Sequence, residues 1–82
     1  MINVRYWAAA RELAGTTSEP VSGGTLPDVL AGVAALHGPA MAGLLARCVL
    51  LVDGEQVRRD LTTALPDGAT VEVLPPYAGG AR

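Results

Sequence analysis

The sequence predicts an α+β domain, with one main helix laid across a mixed sheet, and three observations carry that expectation. Segments of alternating character stand at both ends, Ile2 to Trp7 and Thr70 to Leu74. Between them, Leu26, Val29, Leu30, Val33 and Leu36 recur at helical spacing. Asp53-Gly54 separates two short β-type segments and is the dipeptide a two-residue hairpin turn favours. At 82 residues the chain suffices for one domain and one core.

The elements follow in order. In Ile2 to Trp7, alternation puts Ile2, Val4 and Tyr6 on one face and Asn3, Arg5 and Trp7 on the other. Ala8 to Ala14 holds good helix formers and stops at Gly15, which predicts a short helix or a pair of turns. Thr17 to Ser22 supplies a second strand, confined to an edge by Pro20. Thr25 is the N-cap of the main helix, with Asp28 completing the cap and Gly38-Pro39 ending it. His37, just before that stop, reads as a surface residue. Met41, Leu44 and Leu45 predict another helical turn or two, and Cys48 to Val52 reads as a strand buried on both faces. Glu55 to Val57 returns as a short strand, Pro66-Asp67-Gly68 turns the chain, and Thr70 to Leu74 closes the sheet beside the first strand. This order is the β-grasp arrangement of ubiquitin-like domains. Residues 1–74 form the expected domain, and residues 75–82 a flexible tail.

Composition narrows the function. Half the residues are apolar and only Tyr6, Trp7 and Tyr77 are aromatic, so the core is expected to be aliphatic. The net charge is −2 and the basic residues are scattered apart from Arg58-Arg59, which argues against nucleic acid as a partner. No apolar run approaches the roughly 20 residues of a membrane-spanning helix, and the first residues do not resemble a signal peptide. A cytoplasmic protein is expected. The single cysteine, Cys48, fits a reducing compartment and reads as a small buried hydrophobe. One cysteine and one histidine cannot make a four-ligand zinc site, and no catalytic triad can be argued from them.

The tail carries the chemical signal. Pro75-Pro76 stops the last strand, and Gly79-Gly80 lack the Cβ that would block passage through a narrow channel. A Gly-rich end is equally what an unstructured terminus looks like. Val4 to Gly15, Leu65 to Gly68 and Val71 to Gly80 together resemble the MoaD/ThiS family of sulfur carriers over almost the whole chain. The Ala-Arg-Glu-Leu-Ala-Gly segment and the Pro-Pro-Tyr-Ala-Gly-Gly ending are most similar to its molybdopterin synthase small-subunit branch.

The resemblance implies that a partner enzyme uses ATP to adenylate the terminal glycine carboxylate, and that a persulfide then displaces AMP to leave a thiocarboxylate. Gly80, with Gly79 before it, would be the attachment point, and the sulfur would pass to a pterin precursor in the large subunit of molybdopterin synthase. Thiamine, cysteine or secondary-metabolite pathways are the alternative recipients; a ubiquitin-like modifier or a plain interaction module are the alternative roles. The chain itself would be no enzyme and would bind no cofactor. Ala81-Arg82 depart from the pattern, because they leave the free carboxylate on arginine. A maturing protease removes them, or they are foreign additions, or the chain no longer carries sulfur.

Partner contacts are expected at Trp7, Arg11, Leu74, Pro75 and Tyr77. Trp7 and Leu74 would form an apolar patch at the base of the tail, or Trp7 would fold under Met41 to Leu45 as core. Arg11 sits at the family's matching arginine and is otherwise a solvated helix charge. Arg5 and Glu72 are expected to pair across neighbouring strands.

Overall fold

The computed structural model describes residues 1–76. The chain forms β1 (Ile2–Tyr6), α1 (Ala8–Ala14), β2 (Ser18–Val21), α2 (Leu26–His37), α3 (Pro39–Leu45), β3 (Val49–Val52), β4 (Glu55–Val57) and β5 (Thr70–Leu74). The five strands lie in the order β2-β1-β5-β3-β4. The central pair, β1 and β5, is parallel, with Tyr6 beside Val73, and every other pairing is antiparallel. This is the mixed β-grasp sheet the sequence predicts.

Alternation makes one sheet face apolar, and the helices cover it. Ile2, Val4 and Tyr6 from β1, Leu50 from β3 and Val71 and Val73 from β5 pack against Leu26, Val29 and Val33 of α2. α3 adds Met41, Leu44 and Leu45, so it shares the covering role expected of α2 alone. Thr25 Oγ1 accepts from the Asp28 amide while the Asp28 carboxylate accepts from the Thr25 amide, a reciprocal cap that satisfies two orphan donors of α2. β2 is an edge strand, as its Pro20 requires. Asp53 (φ 48°) and Gly54 (φ 88°) both take the positive φ of the tight β3–β4 turn. Among the described residues, no helix is long and apolar enough to cross a membrane.

Two expectations fail at the margins of the sheet. Leu36 belongs to the helical stripe yet is 61% exposed. It lies on the flank of α2 above edge strand β2, where no further strand covers it. Strand β3 is not buried on both faces, because Val49 is 42% exposed. Helices cover only one side of this sheet, so a continuous apolar run must still leave every second residue on the open side.

Candidate functional site

Strand β5 ends at Leu74, so the surface around that residue borders the point where the tail begins. On the open face, the register places Arg5 beside Glu72, Leu51 on its other side, and Val49 beside Leu74. The Trp7 amide donates to the Val73 carbonyl at 3.2 Å, which carries β1 one residue further and sets Trp7 alongside Leu74. Trp7 Nε1 donates to Glu72 Oε1 at 3.0 Å, and the Arg5 guanidinium lies 4.7 Å from the centre of the indole ring. The indole is thereby held at one orientation by a hydrogen bond and a cation–π contact.

These contacts settle two expectations. Trp7 is half-buried and stands outside the core, so it does not fold under α3. Arg5 and Glu72 do not pair directly. The indole between them takes the carboxylate on its N–H and the guanidinium on its face, so the two charges are joined through Trp7.

The helix-covered face holds a second cluster at the same end of β1. Tyr6 is 1% exposed, and its hydroxyl donates to Glu19 Oε2 at 2.6 Å. His37 Nε2 approaches the same oxygen at 2.5 Å, and its ring meets the Tyr6 ring edge-on at 5.7 Å. Burial alone would raise the Glu19 carboxyl, but hydrogen bonds from His37 and Tyr6 and the charge of His37 outweigh it and hold it below the usual value. Burial, the Glu19 hydrogen bond and the Glu19 charge all push the Tyr6 phenol far above its ordinary range. His37 is therefore no surface residue: its side chain is 14% exposed. The signal was present, since it follows Leu26 by close to three turns at about 3.6 residues each and so falls on the buried stripe.

The remaining predicted residues are spread unevenly. Leu74 is half-buried on the open face, Pro75 is buried at the strand's end, and Arg11 is exposed on α1. Tyr77, Gly79 and Gly80 lie outside the described residues. Val49 and Leu51 join the apolar ground around Leu74, although the sequence reading assigned them to a doubly buried strand. Cys48 is buried, its thiol donates to the Leu44 carbonyl at 3.2 Å, and burial raises its pKa against the opposing charges of Arg59 and Arg47. Arg59 lines a cleft of about 400 Å³ with Cys48 and Val57. Its guanidinium is spent on the carbonyls of Leu45 and Cys48, at 2.7 and 2.9 Å.

A family model described as the ThiS family matches residues 4–80. The chain belongs to the ThiS family. It is 39% identical over 82 residues to the molybdopterin synthase sulfur carrier subunit of Chlamydomonas reinhardtii, covering 96% of this chain and 98% of the relative. Small archaeal modifier protein 1 from Methanosarcina acetivorans shares the fold with a TM-score of 0.82 at 28% identity, covering 96% of this chain and 95% of its own. CysO from Mycobacterium tuberculosis gives a TM-score of 0.76 at 26% identity, over 92% and 98% of the two chains. This ThiS-family chain is thus a sulfur-carrier homologue of the MoaD/ThiS type.

Proposed function

We propose that the chain carries sulfur as a thiocarboxylate on Gly80 and donates it in molybdopterin biosynthesis. The observation that carries this reading is the full-length similarity to a molybdopterin synthase sulfur carrier subunit, within a family match that runs through residue 80. Because Ala81 follows Gly80, the Gly80–Ala81 peptide bond must be cut before the glycine has a carboxylate to activate. A partner enzyme then joins that carboxylate to the α-phosphate of ATP, releasing pyrophosphate and giving an acyl-adenylate with a good leaving group. A persulfide sulfur attacks the acyl carbon, AMP leaves, and thiol reduction of the acyl disulfide frees the thiocarboxylate.

The domain's share of this work is presentation. The end of β5, with Pro75 buried against the body, fixes where the tail begins, and the Trp7, Leu74 and Val49 surface docks the partner. Trp7 arrives in a fixed rotamer, which lowers the entropy cost of using it as an anchor. Arg11 and Tyr77 extend the contact in this reading. Catalytic side chains belong to the activating enzyme and to the synthase large subunit.

The test takes the chain ending at Gly80 with its cognate activating enzyme and ATP. Pyrophosphate exchange is expected with that chain and absent with the chain ending at Arg82. Adding a sulfur donor should then raise the intact mass by about 16 Da as sulfur replaces oxygen. The likeness to a small archaeal modifier protein favours a second reading, in which Gly80 is joined to lysine amines of other proteins. Conjugate bands on larger proteins, without the mass gain, would select it.

A further inference from the structure

We propose that the free edge of β4, with the arginine-flanked cleft beside it, binds an extended acidic segment of a partner protein as an added strand. The site is built entirely from residues of the folded domain, so it goes beyond the tail chemistry proposed above and holds whether or not Gly80 is activated.

The sheet ends in two edge strands, β2 and β4. Backbone groups of successive residues point to alternate sides of a strand, so each edge directs every second residue away from its neighbour. On the β2 side, the Tyr6 amide donates to the Thr17 carbonyl, so Tyr6, Val4 and Ile2 face β2 and their register partners Glu19 and Val21 face back. Pro20, between those two, points outward and has no N–H to give. On the β4 side, the Asp53 amide donates to the Thr70 carbonyl, so Asp53 and Leu51 face β5. Leu50 and Val52 therefore face β4, where Val57 and Glu55 answer them. Gln56, between these partners, directs both its N–H and its C=O off the sheet. One edge is blunted by proline, and the other offers a donor and an acceptor.

The ground beside Gln56 supplies side-chain recognition. The cleft of about 400 Å³ at this edge is lined by Gln56 and Val57 of β4, by Val49 of β3, and by Arg58, Arg59 and Asp60. Two arginines against one aspartate make it positive, in a chain whose net charge is −2. Arg47, just past α3, adds its charge, since with Arg59 it acts on the Cys48 thiol in the cleft wall. Glu55 stands at the hairpin end of β4, away from Arg58. The Arg58 side chain is 87% exposed, and its contact with Asp60 at 3.2 Å is an exposed ion pair of the kind that contributes little to a fold. A carboxylate from outside can therefore take the guanidinium in the two-point manner that Asp60 now does. Arg59 keeps its charge at the cleft while its donors hold the carbonyls of Leu45 and Cys48.

These features define the occupant. An extended segment completes the ladder at Gln56, which a helix cannot do because its own N–H and C=O groups bond to one another. Acidic side chains on that segment meet Arg58, with Arg47 and Arg59 adding to the attraction, while a basic segment is repelled. Val49 both lines the cleft and pairs with Leu74, so the bound segment lies at the same end of the sheet as the start of the tail.

The experiment titrates the isotope-labelled full chain with a synthetic peptide of alternating valine and glutamate and follows the backbone amides by NMR. Binding should move the amides of Gln56, Val57 and Arg58, and should slow hydrogen exchange at the Gln56 amide by about tenfold or more at saturation, because that N–H gains a partner. The same peptide with lysine in place of glutamate should bind about tenfold more weakly, and so should the acidic peptide to Arg58→Glu. Arg58→Glu should leave the melting temperature unchanged, since its side chain lies in solvent. Absence of binding, binding that leaves Gln56 unprotected, shifts centred on Trp7 or on β2, or equal affinity for the lysine peptide would each overturn the proposal. None of these readouts involves activation of Gly80, so a failure of the sulfur-carrier reading leaves the result standing.

Discussion

Tyr6 and Trp7 are adjacent in sequence, yet they end on opposite faces of the sheet with matching company. Each aromatic meets one carboxylate and one basic side chain: Tyr6 has Glu19 and His37, Trp7 has Glu72 and Arg5. The clusters differ in cover. Tyr6 is closed over by α2, while Trp7 stands half open beside Leu74 and the start of the tail. The comparison teaches that similar polar chemistry serves stability on the covered face and, under the function proposed above, presentation on the open one. Water decides which, because it competes for hydrogen bonds and screens charge only where it can enter.

The sharpest way to break that comparison is to truncate both rings. Tyr6→Ala should cost about 3–5 kcal/mol, as for other large buried aromatics, and remove one of the two side-chain hydrogen bonds to Glu19. Trp7→Ala should cost only about 1–2.5 kcal/mol, the sum of an exposed cation–π contact and one hydrogen bond. It should instead weaken the complex with the activating enzyme. Urea unfolding and a binding titration read the two effects separately. Equal losses of stability would place Trp7 in the core and remove it from the docking surface.

The next effect concerns the carboxylate beneath Tyr6. Glu19→Gln should lower stability at neutral pH by about 1–2 kcal/mol, the range for hydrogen bonds to a charged group. The folded state holds the Glu19 carboxyl below its ordinary value of 4.5, so folding favours the carboxylate form. Its contribution is complete above that value and is lost as pH falls through the lower folded value. The gap between wild type and Glu19→Gln should therefore narrow as pH falls below about 4.5. Chemical denaturation on both sides of that pH checks the prediction. A gap that widens in acid would mean that Glu19 is not the group favoured as an anion.

The same contrast marks what was legible in the sequence. Alternation at Ile2 to Trp7 and at Thr70 to Leu74, the Thr25–Asp28 cap and the Asp53-Gly54 turn are local patterns with local causes, and each forms where it was expected. What escaped was set by the edges of the sheet and by long-range pairing. Leu36 matched the stripe but overhangs edge strand β2, and Val49 sat in an apolar run but faces the side that no helix covers. Glu19 and His37 lie 18 positions apart, and no period links them to Tyr6. Ala8 takes a φ of 51°, a left-handed conformation that costs a residue bearing a Cβ about 1–2 kcal/mol, and nothing in its own side chain announces it. For the candidate site, the Gly-Gly tail and Trp7 were visible as motif and alternation. The indole's tether to Glu72 depends on the parallel β1–β5 register and was not.

That tether supports the smallest effect. Arg5→Gln removes the cation above the indole and leaves the Nε1–Glu72 hydrogen bond in place, so stability should fall by no more than about 0.5–1 kcal/mol. Glu72→Gln keeps an acceptor for the indole but removes its charge, and the loss should be of similar size. If the tether works by fixing the ring before binding, both variants should weaken partner affinity by more than they weaken the fold, and mainly through faster dissociation. Indole fluorescence anisotropy reads ring mobility in the free chain. Greater mobility with unchanged affinity would show that the partner orients Trp7 itself, and the open face would then owe its function to apolar area around Leu74 and Val49.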